Sequence, residues 1–405
     1  MPHQTYTYDN AERISTIFEA YGSVKVRYTY DDAGNVIEEN YGTSSNLIYN
    51  AHKTYTYSPA GQVTKEEYKA PYYSSVSWSE DYTYRLDGNM MQKTSSGGGN
   101  SYKTAYSYDI FGRPYDEAYY KNNLYVYQNI YEYDDYNNIS SVDQYSSVAP
   151  KTTFYNETTC TDNYSVGTYS SQSTAPYHYQ MSYTYDKAGQ LQTQLTTDAK
   201  NGNATVNDFS FTYDDAGNLL SKLDDDITKQ TYTYDALNRT ASFTDNAVGE
   251  TTNYIYNYAD RRIGKTGATT LTSIWSGGMI TLDITNISQP STNRLYINGG
   301  VNYGMVVNYS YMPRTANAQG DTAFNTTPGN DIVNFDQYGN QNNGQALTDE
   351  SNPYGYRGYY GDVESGNYYL SARYYDPEIQ RFTQPDTYRG NNPYAYSNGD
   401  PVKQF

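Results

Sequence analysis

The chain is punctuated by a short pattern in which an aromatic, a polar residue and a tyrosine alternate and then stop at an aspartate. It reads YTYDNAERI from Tyr6, YTYDDAGNV from Tyr28, YTYSPAGQV from Tyr55, YTYRLDGNM from Tyr82 and YSYDIFGRP from Tyr106. It continues as YEYDDYNNI from Tyr131, YTYDKAGQL from Tyr183, FTYDDAGNL from Phe211, YTYDALNRT from Tyr232 and YIYNYADRR from Tyr254. Alternation with period two puts both rings of a pair on one face of a β-strand. The aspartate ends that strand because its carboxylate can accept hydrogen bonds from the amides of a turn. The glycine three residues on adopts positive φ without steric cost, and Asn137 or Asn238 is the next most tolerant choice. An apolar residue such as Val36, Val63, Leu191 or Leu219 then opens a return strand. Each unit is therefore predicted to be a hairpin. The double-length interval between Tyr131 and Tyr183 is expected to hide an eroded copy between Asp143 and Gln180.

No segment keeps a helical period, and the pattern fades from about Thr270. The chain divides into repeats over 1–270, degenerate repeats or linker strands over 271–345, and a distinct segment over 346–405. The middle part is rich in Gly, Asn, Thr and Ser, with strand-like runs MITLDI and GMVVNYSY.

Composition sharpens this picture. Of 405 residues, 55 are tyrosine, so the apolar layer must be built largely from rings that also carry a hydroxyl. Tyrosine favours strands. The Tyr rows are read as the inner packing layer of a long sheet, the rival being exposed rows that stack on sugars. The recurring Asp is read as turn chemistry, because one acidic residue per unit is too sparse for a calcium loop.

The formal net charge of −18 disfavours phosphate backbones, so nucleic acid is not an expected partner. No apolar stretch is long enough to span a membrane, and the first 30 residues carry no signal-peptide pattern. The lone Cys160 excludes an internal disulfide, and the scattered His3, His52 and His178 make no metal set. No cofactor or metal is expected.

The signature Y-x-Y-D-x-x-G-[RN]-[LV], spread over residues 6–262, resembles that of the YD-repeat or Rhs-repeat family. The segment NPYGYRGYYGDVESGNYYLSARYYDPEIQRF, followed by DTYRG and NPYAY, resembles the Rhs-associated core domain. Family members include bacterial polymorphic-toxin carriers, the C component of Tc toxins and the teneurins. The resemblance implies an all-β fold of antiparallel hairpins coiling as a spiral sheet into a hollow shell, complete or partial, with the core segment as its plug. It implies enclosure and delivery of a C-terminal toxin or effector polypeptide absent from this chain. The low-charge Tyr/Thr lining expected of such a shell suits contact with an unfolded chain. Secretion machinery and further copies of the chain are possible partners, and the implied location is secreted or on the surface of a bacterium.

In carriers of this family the core domain cuts the chain by an aspartyl-type arrangement. By motif, Arg373 and Asp386 are its candidate residues here, whereas Asp376 is read as an ordinary turn. The expected third element, D-P-x-G, is broken at Asp400-Pro401-Val402-Lys403, so the chain is expected not to cut itself. An effector of about 120 residues has a gyration radius near 14 Å, and a sheet around it covers roughly 6,500 Å². With about 60% of its residues in strands of about 16 Å² each, this chain supplies roughly 3,900 Å². It is expected to be a fragment, a reduced member or part of an assembly. Two alternatives stand beside the carrier: an extracellular adhesin or carbohydrate-binding protein, and a self-assembling β-repeat protein.

Overall fold

The structure, a computed structural model, describes residues 4–19, 24–43, 46–69, 77–147, 175–267, 270–276, 278–285, 293–298, 302–307, 310–325, 333–341, 353–387 and 392–402. Twenty-six strands, from β1 (Gln4–Tyr8) to β26 (Thr322–Asn325), form one sheet. Each strand is antiparallel to the next in sequence, for example the first with the second, the thirteenth with the fourteenth and the twenty-fifth with the twenty-sixth. The chain is thus a single meander, all-β as expected, with no α-helix among the described residues. The eroded copy expected between Asp143 and Gln180 falls largely on 148–174, outside the described residues. The strands that flank it, Ile139–Ser146 and Tyr177–Tyr185, pair directly.

The signature is a turn whose bonds are almost all local. At Asp134, Oδ1 accepts from the amides of Tyr136 and Asn138 at 2.8 Å each, and Oδ2 accepts from Asn138 Nδ2 at 2.8 Å. Asp31, Asp214 and Asp235 engage the residue four places on in the same way, through Asn35, Asn218 and Arg239. The Asn or Arg after the glycine therefore closes the aspartate's second oxygen. The position before it has positive φ throughout: Gly34 at 91°, Asn137 at 62° and Asn238 at 58°.

In most units the second tyrosine of the pair ties its unit to the one before. Its hydroxyl donates to the carbonyl of the residue that opens the previous return strand. Tyr30 reaches Ile14, Tyr57 reaches Val36, Tyr84 reaches Val63, Tyr108 reaches Met90, Tyr133 reaches Pro114 and Tyr234 reaches Leu219, all at 2.6–2.8 Å. The first tyrosine is buried instead, as at Tyr82, Tyr131, Tyr183 and Tyr232. One ring thus packs the inner layer and the other staples neighbouring hairpins.

The sheet curls so that distant strands share one core. Val26, Tyr41, Tyr68 and Trp78 cluster with Leu295, Ile297 and Val306. Tyr131, Leu191, Phe211 and Phe243 cluster with Tyr338 and with Tyr369, Tyr374 and Ile379 of the C-terminal segment. That segment carries its own four-stranded sheet, β27 (Tyr360–Gly361), β28 (Tyr368–Tyr369), β29 (Tyr374–Asp376) and β30 (Arg381–Phe382), lying on the inner face of the large one. The lining is not the low-charge Tyr/Thr layer expected of such a shell. Lys53, Glu66, Glu80, Lys93, Glu117 and Lys222 are all buried. The reason is that the segment packed against it brings amides, carbonyls and carboxylates that need partners once water is excluded.

Candidate functional site

The seam between the inner face and the C-terminal segment holds the chemistry. The signature turn recurs ahead of the segment, at Asn317 in the last hairpin of the sheet and at Asp336 in the stretch that leads into the segment. Asn317 Oδ1 accepts from the amides of Gln319 and Asp321, and Asp336 Oδ1 accepts from those of Tyr338 and Asn340. Gly320 and Gly339 take the positive-φ position. This turn leaves the amide of its second residue without a partner of its own, and in both copies a buried glutamate of the sheet supplies one. Glu66 Oε1 accepts from Ala318 N at 2.8 Å, and Glu117 Oε1 accepts from Gln337 N at 3.1 Å. Beside the first, Lys53 Nζ lies 2.6 Å from Glu66 Oε2 and donates to Ala316 O at 2.5 Å, while Trp78 Nε1 donates to Thr315 Oγ1 at 3.1 Å.

Recognition also runs the other way. In three successive hairpins the carbonyl of the positive-φ residue accepts from a side chain of the C-terminal segment. Arg381 Nη2 reaches Gly189 O, Tyr394 Oη reaches Gly217 O and Gln384 Nε2 reaches Asn238 O, each at 2.7 Å. The segment therefore reads the repeat through the backbone geometry that the signature enforces. A cavity of about 30 Å³, bounded by Ile139 and Tyr185 on one side and Tyr338 and Tyr396 on the other, remains along the seam. It has room for a water molecule.

Ion pairs complete the seat. Lys222 Nζ meets Glu378 Oε2 at 2.5 Å, Lys265 Nζ meets Glu364 Oε2 at 2.8 Å, and Arg262 pairs with Asp362. Against the pull of burial, Arg262 and Lys265 hold Asp362 below the usual carboxylate range. Burial and the neighbouring Glu378 push Asp376 up to about 6. Burial pushes Asp336 up to about 6, and burial together with Asp336 drives Glu117 well above its ordinary value.

The candidate residues of the sequence meet. Arg373 Nη2 lies 2.7 Å from Asp386 Oδ2, its Nη1 donates to Pro393 O at 3.2 Å, and the guanidinium sits 3.7 Å over the Phe382 ring. The amide of Asp386 donates to the same Pro393 carbonyl at 2.8 Å. The pair holds the turn at Pro393 and leaves Asp386 partly exposed. Asp376 behaves as the turn it was read to be, accepting from the amides of Glu378 and Ile379. It belongs with Lys222 and Glu378 rather than with Arg373. Among the described residues no cluster of His, Cys, Asp and Glu could hold a metal ion.

No family model matches the chain. It is 29% identical over 191 residues to the tRNA3(Ser)-specific nuclease WapA of Bacillus spizizenii, a match covering 43% of this chain and 8% of that protein. It is 37% identical over 97 residues to the tRNA nuclease WapA of Bacillus subtilis, covering 21% of this chain and 4% of that one. The chain thus spans less than a tenth of the length of these curated relatives. Among solved structures, TcdB2-TccC3 superposes on the whole chain with a TM-score of 0.64 at 16% identity, over 22% of its own length. TcdB2-TccC3 without its hypervariable C-terminal region gives a TM-score of 0.65 at 17% identity, over 21% of its length. A Photorhabdus luminescens Tc holotoxin pore gives 0.64 at 17% identity, over 99% of this chain and 21% of that one. The chain shares the fold of TcdB2-TccC3, an all-β meander of antiparallel hairpins wound as a spiral sheet.

Proposed function

We propose that this chain is the closing part of an Rhs-type toxin-carrier shell, in which the spiral sheet and its C-terminal plug enclose an effector polypeptide joined after Phe405. One observation carries the reading. Val402 is 1% exposed and packs against Tyr82, Met90, Tyr106 and Tyr108 of the sheet's inner face. Arg357 donates to the carbonyl of Pro401 and fixes the chain just before it. A polypeptide continuing from that point starts out from the inner face. The likeness to WapA nucleases and to TcdB2-TccC3 supports the same reading, and a secreted or cell-surface setting in a bacterium is part of the proposal. Among the described residues no helix is long and apolar enough to cross a membrane. In this reading the Arg373–Asp386 pair is what the chain retains of a self-cleaving apparatus, and no activity on other substrates is assigned to it.

The test joins an effector-sized polypeptide after Phe405 through a linker bearing a specific protease site. Cleavage at that site is expected to be at least about tenfold slower than in the same linker on a free polypeptide, because cutting follows the population of the open form. Equal rates would overturn enclosure. The same fusion with Asp386→Asn, followed by mass spectrometry, reads the cleavage role. Self-cutting at the junction that disappears in the variant assigns it, and an intact junction in both chains denies it to this sequence.

A further inference from the structure

Seating the C-terminal segment, with the stretch 333–341 that leads into it and packs on it through Val333 and Phe335, brings acid against acid. Glu117, on β10 (Pro114–Lys121), is fully buried, and its Oε1 accepts from the amide of Gln337. The residue before that amide is Asp336, itself 8% exposed, so the amide that Glu117 accepts from directly follows the residue bearing the second carboxylate, and the two repel across the seam. Asp336 is committed to its turn: Oδ1 accepts from the amides of Tyr338 and Asn340, and Oδ2 from Asn340 Nδ2 at 2.9 Å. Among the described residues neither carboxylate is in an ion pair. The nearest balancing charge is Lys93 on β8 (Met90–Gly97), which acts on Glu117 from the neighbouring hairpin and is shared with Glu80. The other titratable groups that feel the pair are tyrosines: Tyr106, Tyr108, Tyr127 and Tyr131 of the sheet, and Tyr368 and Tyr375 of the segment. Asp321 and Arg357 reach the pair's surroundings through Tyr106.

Two buried like charges with no cation in contact do not both stay ionised, and one proton between them removes the repulsion. With the segment lifted, each carboxylate regains water and needs no proton. We propose that seating of the C-terminal segment on the sheet is coupled to proton uptake at the Glu117–Asp336 contact, so that the plug is held more firmly in mildly acidic medium and loosened as the pH rises. The other seam acids add to this or act elsewhere. Asp376, beside Glu378 and Lys222, is raised in the same way by burial and Glu378. Asp362 has the opposite sign, but Arg262 and Lys265 place its effect below about pH 4.

The sign follows from linkage. Both groups of the pair have higher pKa values when seated than when lifted. Their contribution is therefore fully present below about pH 4, where an exposed carboxylate takes its proton, and is lost as the pH rises through the seated values. For Asp336 that upper limit is about 6. For this chain the latch closes in acid and opens towards neutrality.

The experiment is amide hydrogen exchange of the full chain between pH 5.5 and 7.5, corrected for the intrinsic pH dependence of exchange and read over residues 333–341. The opening constant of that stretch is expected to rise about tenfold across this range, the effect of roughly one linked proton partly titrated. Glu117→Gln keeps an oxygen for the Gln337 amide and carries no charge, so its profile is expected to be clearly shallower, keeping only the part that burial gives Asp336. Asp336→Asn keeps the turn acceptor and serves as the second variant should the first misfold. A corrected profile flat in the natural chain, or equally steep in a folded variant, would overturn the proposal.

Discussion

Replacing Arg262 with alanine is expected to lower the stability of the chain by about 3–5 kcal/mol, as breaking a buried ion pair usually does. The guanidinium is fully buried and pairs with Asp362 through Nη1, which also donates to Tyr374 Oη at 2.8 Å. It lies within 4.5–5.9 Å of the rings of Tyr254, Tyr360, Tyr369 and Tyr374. Deleting it leaves Asp362 buried with Lys265, 3.3 Å away, as its remaining cation. Equilibrium denaturant unfolding checks the loss. The Arg262→Met, Asp362→Leu double variant is expected to recover much of it, because no charge is then stranded. A loss below about 1 kcal/mol in the single variant would mean that the pair is not what seats the segment.

Arg262 also shows what the sequence discloses and what it withholds. It stands in the slot where other units open the return strand with Val36, Val63 or Leu219, so an arginine there departs from the pattern and marks a special unit. Its partner, 100 residues away, is invisible to any local reading. The turn was legible because its bonds are local: Asp134, Asn137 and Asn138 supply nearly all of them. The tyrosine staple was not, since its acceptor is a backbone carbonyl in the preceding unit and carries no residue-type signal. The buried glutamates lay in between. Glu66 and Glu67 look alike in KEEYK, yet period two puts Glu66 on the side of Tyr68, and only Glu66 is fully buried. The turn at Asp336 could also have been found, because FDQYGN repeats the signature with Phe335 for tyrosine. The one at Asn317 has no aromatic to announce it. Resemblance pointed to Arg373 and Asp386, and the fold brings them to 2.7 Å. Their chemical role still rests on the fusion experiment.

Arg314→Ala is the second substitution with a large expected effect, again about 3–5 kcal/mol, from stranded acceptors together with a cavity. The side chain is 1% exposed and makes no salt bridge among the described residues. Its fork instead gathers five oxygens. Nε donates to Thr322 Oγ1 at 2.5 Å and Tyr354 O at 3.0 Å, Nη1 to Asn302 O at 2.9 Å, and Nη2 to Gly320 O at 3.0 Å and Gly355 O at 3.2 Å. These acceptors belong to the last strands of the sheet, the turn after Asn317 and the start of the plug, so one guanidinium binds three stretches of chain. Arg314→Lys keeps the charge but not the planar fork, and is expected to recover less than half of the loss. Thermal unfolding of the three chains reads the order, and a lysine variant as stable as the natural chain would show that charge alone suffices.

The central claim is that residues 353–387 are an integral layer on the inner face of the spiral sheet rather than an appended tail. Hydrogen exchange of the natural chain at pH 5.5 tests it most directly. The account predicts that amides of Tyr360–Gly361, Tyr368–Tyr369 and Tyr374–Asp376 are protected as strongly as those of Leu124–Tyr133 in the middle of the sheet, and that both lose protection together in denaturant. Exchange of the C-terminal amides within seconds, while the sheet stays protected, would contradict it.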